Sequence, residues 1–477
     1  MTAARSMTKT MLASDLGLGR LPGEPGTIAL LSPCGWGNLG DAAIMSAAID
    51  QIRARQPNAE IVAFTLNPPD TEQRHGVPTF AIDASTFAGF SVERAGLTGV
   101  RRLAQRALQR VRGVSCRLAN ALCRVLNVTT FPVREARHWW SSYRVVRKCR
   151  FVVVCGGGQV DELWGGPWGH PYALFKFALL TRLSAKRDAA RTRFVVLSSG
   201  SAKLSSGLGR WFVGKALRWA DYRSFREQFA VELARELGAP EPNRWLPDLA
   251  FSLDASAASS PPAERGLTVG VSPIAWLDPR FWPEKDGKQY ERYFGQMADF
   301  LQKLLAREKH VVLFATAAVD HIVIADLVRV LRDQGISNLD VLLTVSSART
   351  VPDLLEVLDG VDAVVASRLH GVLLAYTRLR PAVAISYDPK VDQLVESFDQ
   401  TDLSFSISAL DGGELLKAVD RACATREAIA QHLAVKVTEC QELLSEQYDQ
   451  VFGRVAIQEM GHSHSQDHSV LQAQPIA

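Results

Sequence analysis

Short apolar runs rich in valine and alanine recur along this chain, each bounded by polar residues and separated from the next by a longer stretch of helical periodicity. A run too short for a helix yet apolar on every side suits a strand buried on both faces, and such strands need helical crossovers to return the chain in parallel. The alternation therefore predicts βαβ units and parallel sheets. In the first half, residues 27–32 (TIALLS), 59–64 (AEIVAF), 150–155 (RFVVVC) and 193–198 (RFVVLS) read as strands. In the second, 267–272 (LTVGVS), 310–316 (HVVLFAT), 339–343 (LDVLL), 361–366 (VDAVVA) and 382–386 (AVAIS) take that role.

Between the halves, 254–265 (DASAASSPPAER) has no periodicity and is rich in Ala, Ser and Pro, the mark of a linker. It divides an expected domain over 27–253 from another over 266–455, with flexible ends at 1–26 and 456–477. A chain of 477 residues, 47% of them hydrophobic, has enough apolar surface for two such cores. The expected fold class is α/β, with two Rossmann-like domains facing each other across a cleft, a GT-B-like arrangement.

Seven cysteines form no CxxC pair and are odd in number, which argues against a disulfide framework or a zinc ribbon and suits a reducing compartment. No apolar run reaches the roughly 18 residues of a membrane span, so the chain is expected in the cytoplasm. A formal net charge of +4 does not by itself point to nucleic acid, and none is expected as a partner. The positive charge is nevertheless concentrated: between Arg94 and Arg150 stand 14 Lys and Arg against one acid, Glu135. Over about 100–126, Leu103, Ala107, Val111, Val114, Leu118, Leu122 and Val125 recur at helical spacing among arginines. This predicts a basic amphipathic helix, suited to an anionic membrane surface, to closing over a phosphorylated ligand, or to packing on its own domain. His462, His464 and His468 read as an exposed tail rather than a metal site.

The polar residues at the ends of the apolar runs carry the chemistry. SRLHG, 367–371, follows one strand and opens a helix, so Arg368 and His370 fall at the carboxyl edge of a sheet, where ligands of open α/β folds bind. The pair supplies a fixed cation and a proton mobile near neutral pH, or else only a helix cap. After TIALLS comes a glycine-rich loop with Gly37, Asn38, Gly40 and Asp41; Asp41 reads as either an N-cap or a carboxylate that binds sugar hydroxyls and accepts a proton. RFVVVC ends in Gly156, Gly157 and Gly158, followed by an aromatic stretch with Trp164 and Trp168 that could stack on a sugar or simply pack. Arg226 and Glu227 precede a helix, PDLAF spans 247–251, and Tyr387 and Lys390 stand in YDPK just after the strand that follows SRLHG. None of these glycine patterns is a Walker loop or a GxGxxG fingerprint, which disfavours ATP and NAD.

Taken in order, GNLGD, CGGG, the Arg-Glu pair, PDLAF, SRLHG and YDPK resemble the polysaccharide pyruvyl transferases, over roughly 27–408. The resemblance implies a GT-B-like fold, with the acceptor on the first domain and phosphoenolpyruvate on the second. It also implies transfer of pyruvate as a ketal onto hydroxyls of a cell-surface glycan or its lipid-linked precursor. By motif position the family's functional acid, arginine, histidine and lysine fall on Asp41, Arg226, His370 and Lys390. One departure stands at 198–202, SSGSA, where many relatives carry Gly-x-x-x-Gly-Pro; it bears on the acceptor more than on the reaction class.

The residues agree with that chemistry on their own terms. Phosphoenolpyruvate carries about three negative charges on a small body, and arginine forks match carboxylate and phosphate, so Arg226, Arg368 and Lys390 suit it. Ketal formation needs one proton donor and one acceptor, for which His370 and Asp41 are the candidates, with their roles left open. The reaction calls for no redox cofactor and no metal. Two other readings share the fold: a nucleotide-sugar glycosyltransferase, disfavoured by poorly spaced acids after SRLHG, and a non-catalytic scaffold of glycan assembly, disfavoured by the intact polar set. Oligomeric state is open on sequence grounds.

Overall fold

A computed structural model describes residues 26–35, 37–84, 132–163, 165–184, 192–202, 204–253, 266–336 and 338–453. The basic segment at 100–126, the linker at 254–265, the tail at 456–477, nearly all of 1–26 and Trp164 lie outside these residues.

The chain forms two compact units, each around a sheet. In the first, β1 (Ile28–Leu31), β2 (Ile61–Thr65), β3 (Thr79–Ala81), β4 (Phe151–Cys155), β5 (Arg193–Ser199), β6 (Tyr222–Phe225) and β7 (Arg244–Trp245) lie in the order β3-β2-β1-β4-β5-β6-β7. The first six are mutually parallel, with Ile28 opposite both Ile61 and Phe151. In the second, β8 (Thr268–Ser272), β9 (His310–Leu313), β10 (Leu343–Val345), β11 (Ala363–Ala366), β12 (Ala382–Ser386) and β13 (Ser404–Ser406) lie as β10-β9-β8-β11-β12-β13, all parallel. β1, β2, β4, β8, β11 and β12 are buried at every position, which is why they read as unbroken apolar runs. Burial of each Val, Ile or Leu contributes roughly 1.5–3 kcal/mol. In each sheet the chain order reverses direction beside the first strand, between β1 and β4 and between β8 and β11. That is the topological switch point where the loops diverge and leave a crevice.

The helix Leu39–Arg55 departs from the sequence expectation of one domain over 27–253. Residues 36–59 and the segment from Trp245 onward group with the second unit. The reason is packing: the helix buries Leu39, Ala42, Ala43, Ile44, Ala47, Ala48, Ile49 and Ile52 on several faces at once. Its polar positions are tied into the second unit as well. Leu39 N donates to Thr316 O at 2.8 Å, Gln51 Nε2 to Ser252 O at 3.2 Å, Arg55 Nε to Asp449 Oδ1 at 2.6 Å and Gln56 Nε2 to Phe452 O at 2.9 Å. A second departure is at 339–343, where Leu339–Leu342 is a helical turn after Asn338 in the left-handed region, and the strand begins only at Leu343.

Candidate active site

In the second unit the glycine-rich loop ends in a tightly capped helix. Asn38 is the N-cap: its Oδ1 accepts from Gly40 N at 3.0 Å and Asp41 N at 3.4 Å, while its Nδ2 donates to Asp41 Oδ2 at 2.7 Å. Asp41 is thus a first-turn residue rather than the cap. Its negative charge sits at the positive end of the helix dipole and its carboxylate is held by the cap. Gly37 lies at φ +66°, a left-handed conformation that L side chains rarely adopt.

SRLHG spans the switch point. β11 ends at Ala366, Arg368 is the N-cap of the helix Leu369–Thr377, and His370 lies in its first turn. The imidazole packs directly on the helix that follows the glycine-rich loop: a methyl group on Gly40 would lie 2.8 Å from His370 Cβ and closer still to Cγ and Nδ1. Glycine is required there by close approach rather than by dihedral angle. On the other side, His370 Nε2 is 3.5 Å from Asp248 Oδ2. Asp248 is buried and caps the 3₁₀ turn Leu249–Ser252, its Oδ1 accepting from Ala250 N at 2.9 Å.

Gly40→Ala should lower turnover by roughly tenfold to a hundredfold, because a displacement of about 1 Å at a reacting group costs that much. The melting temperature should fall, because the added methyl group overpacks this contact at a cost of about 1–3 kcal/mol, only partly offset by the helix preference of Ala over Gly of about 0.5–1 kcal/mol. Steady-state rates measured alongside a thermal melt check this, and an unchanged rate would remove the contact from the site.

Arg368 is committed to a neighbour. Its Nε and Nη2 donate to Asp320 Oδ2 and Oδ1 at 2.5 and 2.9 Å, a bidentate pair with a carboxylate that is fully buried. Burial works against the guanidinium charge, but the field of Asp320 and its hydrogen bonds outweigh that and hold Arg368 above its ordinary pKa. Asp320 Oδ1 also accepts from Ala275 N at 3.2 Å, which ties Arg368 to the loop after β8. After β12, Asp388 caps the helix Pro389–Ser397, Lys390 Nζ is 3.2 Å from Asp388 Oδ2, and the same ammonium lies 5.5 Å from the centre of the Tyr387 ring. Trp282 meets Tyr387 edge-on at 5.9 Å.

The first unit holds the other predicted residues. Arg226 Nε donates to Glu227 Oε1 at 2.6 Å, with both side chains buried. The unusual SSGSA segment is built around this pair: Ser201 N donates to Glu227 Oε2 at 3.1 Å, and a methyl group on Gly200 would lie 2.6 Å from Arg226 Nε. Gly157 O accepts from Gly200 N at 2.7 Å, so the triple glycine and SSGSA are one hydrogen-bonded layer; Gly157 itself lies at φ +67°. Gly158 borders Asp161, where an added methyl group would meet Oδ2 at 3.1 Å.

Asp41, Arg368, His370, Tyr387 and Lys390 therefore belong to one compact unit, and Arg226, Gly157 and Gly158 to the other. Sequence reading missed two residues. Asp248 was visible only as part of PDLAF, and Asp320, inside TAAVDH, carried no motif at all. Its signal was positional, an acid opening a helix (Asp320–Asp333) shortly after a strand.

Two parallel Rossmann-like units in one chain define a GT-B-like α/β protein. Among solved structures, a UDP-GlcNAc 2-epimerase of Methanocaldococcus jannaschii is similar at 9% identity and a TM-score of 0.50, covering 83% of this chain and 92% of that one. A glycosyltransferase of Rickettsia africae is similar at 8% identity and a TM-score of 0.49, covering 89% and 98%. At such identities the likeness is one of fold alone. No curated protein gives a significant sequence match. The family model for polysaccharide pyruvyl transferase matches residues 38–389, most of the chain and all the motifs from GNLGD to the start of the YDPK helix; the chain belongs to that family.

Proposed function

We propose that this protein uses phosphoenolpyruvate to place a pyruvate ketal on two hydroxyls of a sugar in a cell-surface polysaccharide or its lipid-linked precursor. The observation that carries the reading is the cluster in the second unit. His370 is seated between Gly40 of GNLGD and the Asp248 carboxylate, two residues from an arginine kept charged by Asp320. Phosphoenolpyruvate binds on this unit, its carboxylate and phosphate met by Arg368 and Lys390, and the sugar binds on the first unit, which carries Arg226. The binding residues include the backbone at Gly37, Asn38 and Gly40, that at Gly157 and Gly158, and Tyr387.

Protonation of the methylene carbon gives a cation at C2, which a sugar hydroxyl attacks with loss of its proton. Phosphate then leaves with the electrons of its C–O bond, and the second hydroxyl closes the ring and releases the last proton. His370 and Asp41 hold and accept these protons.

Acceptor-dependent release of phosphate from phosphoenolpyruvate tests the reading, together with thermal stabilisation by phosphoenolpyruvate. Stabilisation by UDP-sugars alone, with no phosphate released, would replace it with glycosyl transfer.

The reading extends to peripheral contact with an anionic membrane. No helix among the described residues is long and apolar enough to cross one. In the first unit, however, Trp168 and Trp211 are about half exposed and joined through Phe212, at ring separations of 5.7 and 5.5 Å. The flanking helices His170–Leu183 and Gly207–Trp219 carry no acidic residue, while Lys215 lies over Trp211 and Arg182 over Trp219. Aromatic rings beside cations suit an anionic lipid interface. Binding to phosphatidylglycerol vesicles in a flotation assay should drop at least severalfold in Trp211→Ser, and equal binding by both proteins would end this extension.

A further inference from the structure

The contact between His370 and Asp248 goes beyond the proposed reaction, on which its catalytic meaning rests. We infer that Asp248 is the positioning residue of His370: it keeps a proton on Nε2 and so leaves Nδ1 as the atom through which the histidine exchanges protons with substrate.

His370 Nε2 is buried and makes no hydrogen bond, and the acceptor facing it is Asp248 Oδ2 at 3.5 Å. A buried ring nitrogen without a partner is costly unless something nearby compensates it. A carboxylate at this distance does so in only one arrangement, with the hydrogen on Nε2 and pointing at the oxygen; a lone pair there would face a negative charge. Asp248 cannot easily turn away, because its other oxygen caps the 3₁₀ turn at Ala250 N and the residue is 5% exposed. Nδ1 lies at the opposite edge of the ring, over Gly40 and next to the residue that carries the Asp41 carboxylate. Gly40 has no side chain to cover that nitrogen. One edge of the ring is thus held by Asp248 and the other is left for chemistry.

Charged groups stand on several of the elements packed against the histidine's helix. Asp248 comes from the turn at Leu249–Ser252, Asp41 from the helix Leu39–Arg55, Arg368 from the cap of the histidine's own helix, and Lys390 from the helix Pro389–Ser397. Arg368 is opposed by Asp320 and Lys390 by Asp388.

Asp248→Asn keeps the shape and removes the charge. An asparagine amide donates to Nε2 as readily as its oxygen accepts, which permits the wrong tautomer. The expected result is a fall in kcat of about 10²-fold with the KM for phosphoenolpyruvate changed much less. Nitrogen-15 NMR of labelled histidine should report an Nε2–H ring in the parent protein and an Nδ1–H or mixed population in the variant. In a His370→Ala background, Asp248→Asn should cost nothing further. An equal loss in both backgrounds, or an unchanged tautomer, would make Asp248 a structural residue only and overturn the inference. The NMR tautomer measurement does not depend on turnover, so it decides the role of Asp248 even if phosphoenolpyruvate proves not to be the donor.

Discussion

Replacing His370 by alanine should cut acceptor-dependent phosphate release by about 10²–10⁴-fold, the usual contribution of a positioned general acid or base. The substitution deletes a side chain that touches both Gly40 of the glycine-rich loop and Asp248. It does so with little structural cost, because His370 is in the first turn of its helix, is 12% exposed, and gives way to a better helix former. Binding of phosphoenolpyruvate should persist, since Arg368 stays paired to Asp320 and Lys390 to Asp388 whatever stands at 370. A large loss in kcat, a small change in KM and an unchanged melting curve therefore form one expected pattern. Initial-rate kinetics with a phosphate readout, run beside a thermal melt, would decide it, and a variant retaining activity within threefold of the parent would take His370 out of the chemistry.

The sheets were legible because their central strands are buried on both faces and so advertise themselves as apolar runs. The strands that escaped are those whose sequence serves something else. β6, YRSF, buries Arg223, whose guanidinium is used up on carbonyls of Leu217, Ala220 and Pro240 and on Asn243 Oδ1, so no apolar pattern marks it. β3 and β13 are three residues long and only partly buried. At 339–343 the apolar content suggested a strand, but Val341 is 70% exposed, and a helical turn puts it there without loss of core. In the candidate site, local chemistry was readable and partnership was not. Arg368 looked like a cation waiting for substrate, yet its partner Asp320 lies 48 residues away in a stretch with no motif. Asp41 looked like a cap, while Asn38, three residues earlier, does the capping and holds the Asp41 carboxylate as well. The assignment of the helix Leu39–Arg55 to the second unit rests on tertiary packing, which periodicity along one segment does not carry.

Glu135→Gln should be the most damaging single change to the stability of the first unit. The Lys176 ammonium is fully buried and donates to Glu135 Oε1 at 2.9 Å; Tyr172 Oη donates to the same oxygen at 2.8 Å, and Trp139 Nε1 donates to Tyr172 Oη at 2.7 Å. Burial opposes the Glu135 charge, yet Lys176 and the hydrogen bonds hold its carboxyl below the usual range, while burial pulls Lys176 below its own. His138 is pushed down to about 4 by burial and by the neighbouring ammonium, so it stays neutral, with Nε2 donating to Ala81 O at 2.8 Å and Nδ1 facing Lys176 at 3.2 Å. Removing one member of a buried pair strands the other charge, at a cost of about 3–5 kcal/mol, or roughly 10 °C in melting temperature for a unit of this size. Replacing both, as Glu135→Leu with Lys176→Met, should recover most of that loss, because an apolar pair of similar volume has no charge to desolvate. The same network fixes the direction of the pH response. Glu135 and His138 both bind protons more readily unfolded than folded: the contribution of His138 is complete above about pH 6.5 and is lost as pH falls toward 4, while that of Glu135 is complete above the ordinary carboxyl range and is lost only below about pH 4.5. Urea unfolding followed by tryptophan fluorescence reports mainly on this unit, which carries six of the ten tryptophans, Trp139, Trp140, Trp164, Trp168, Trp211 and Trp219. Additive losses in the two single variants and the double variant would show that the glutamate and the lysine are independent.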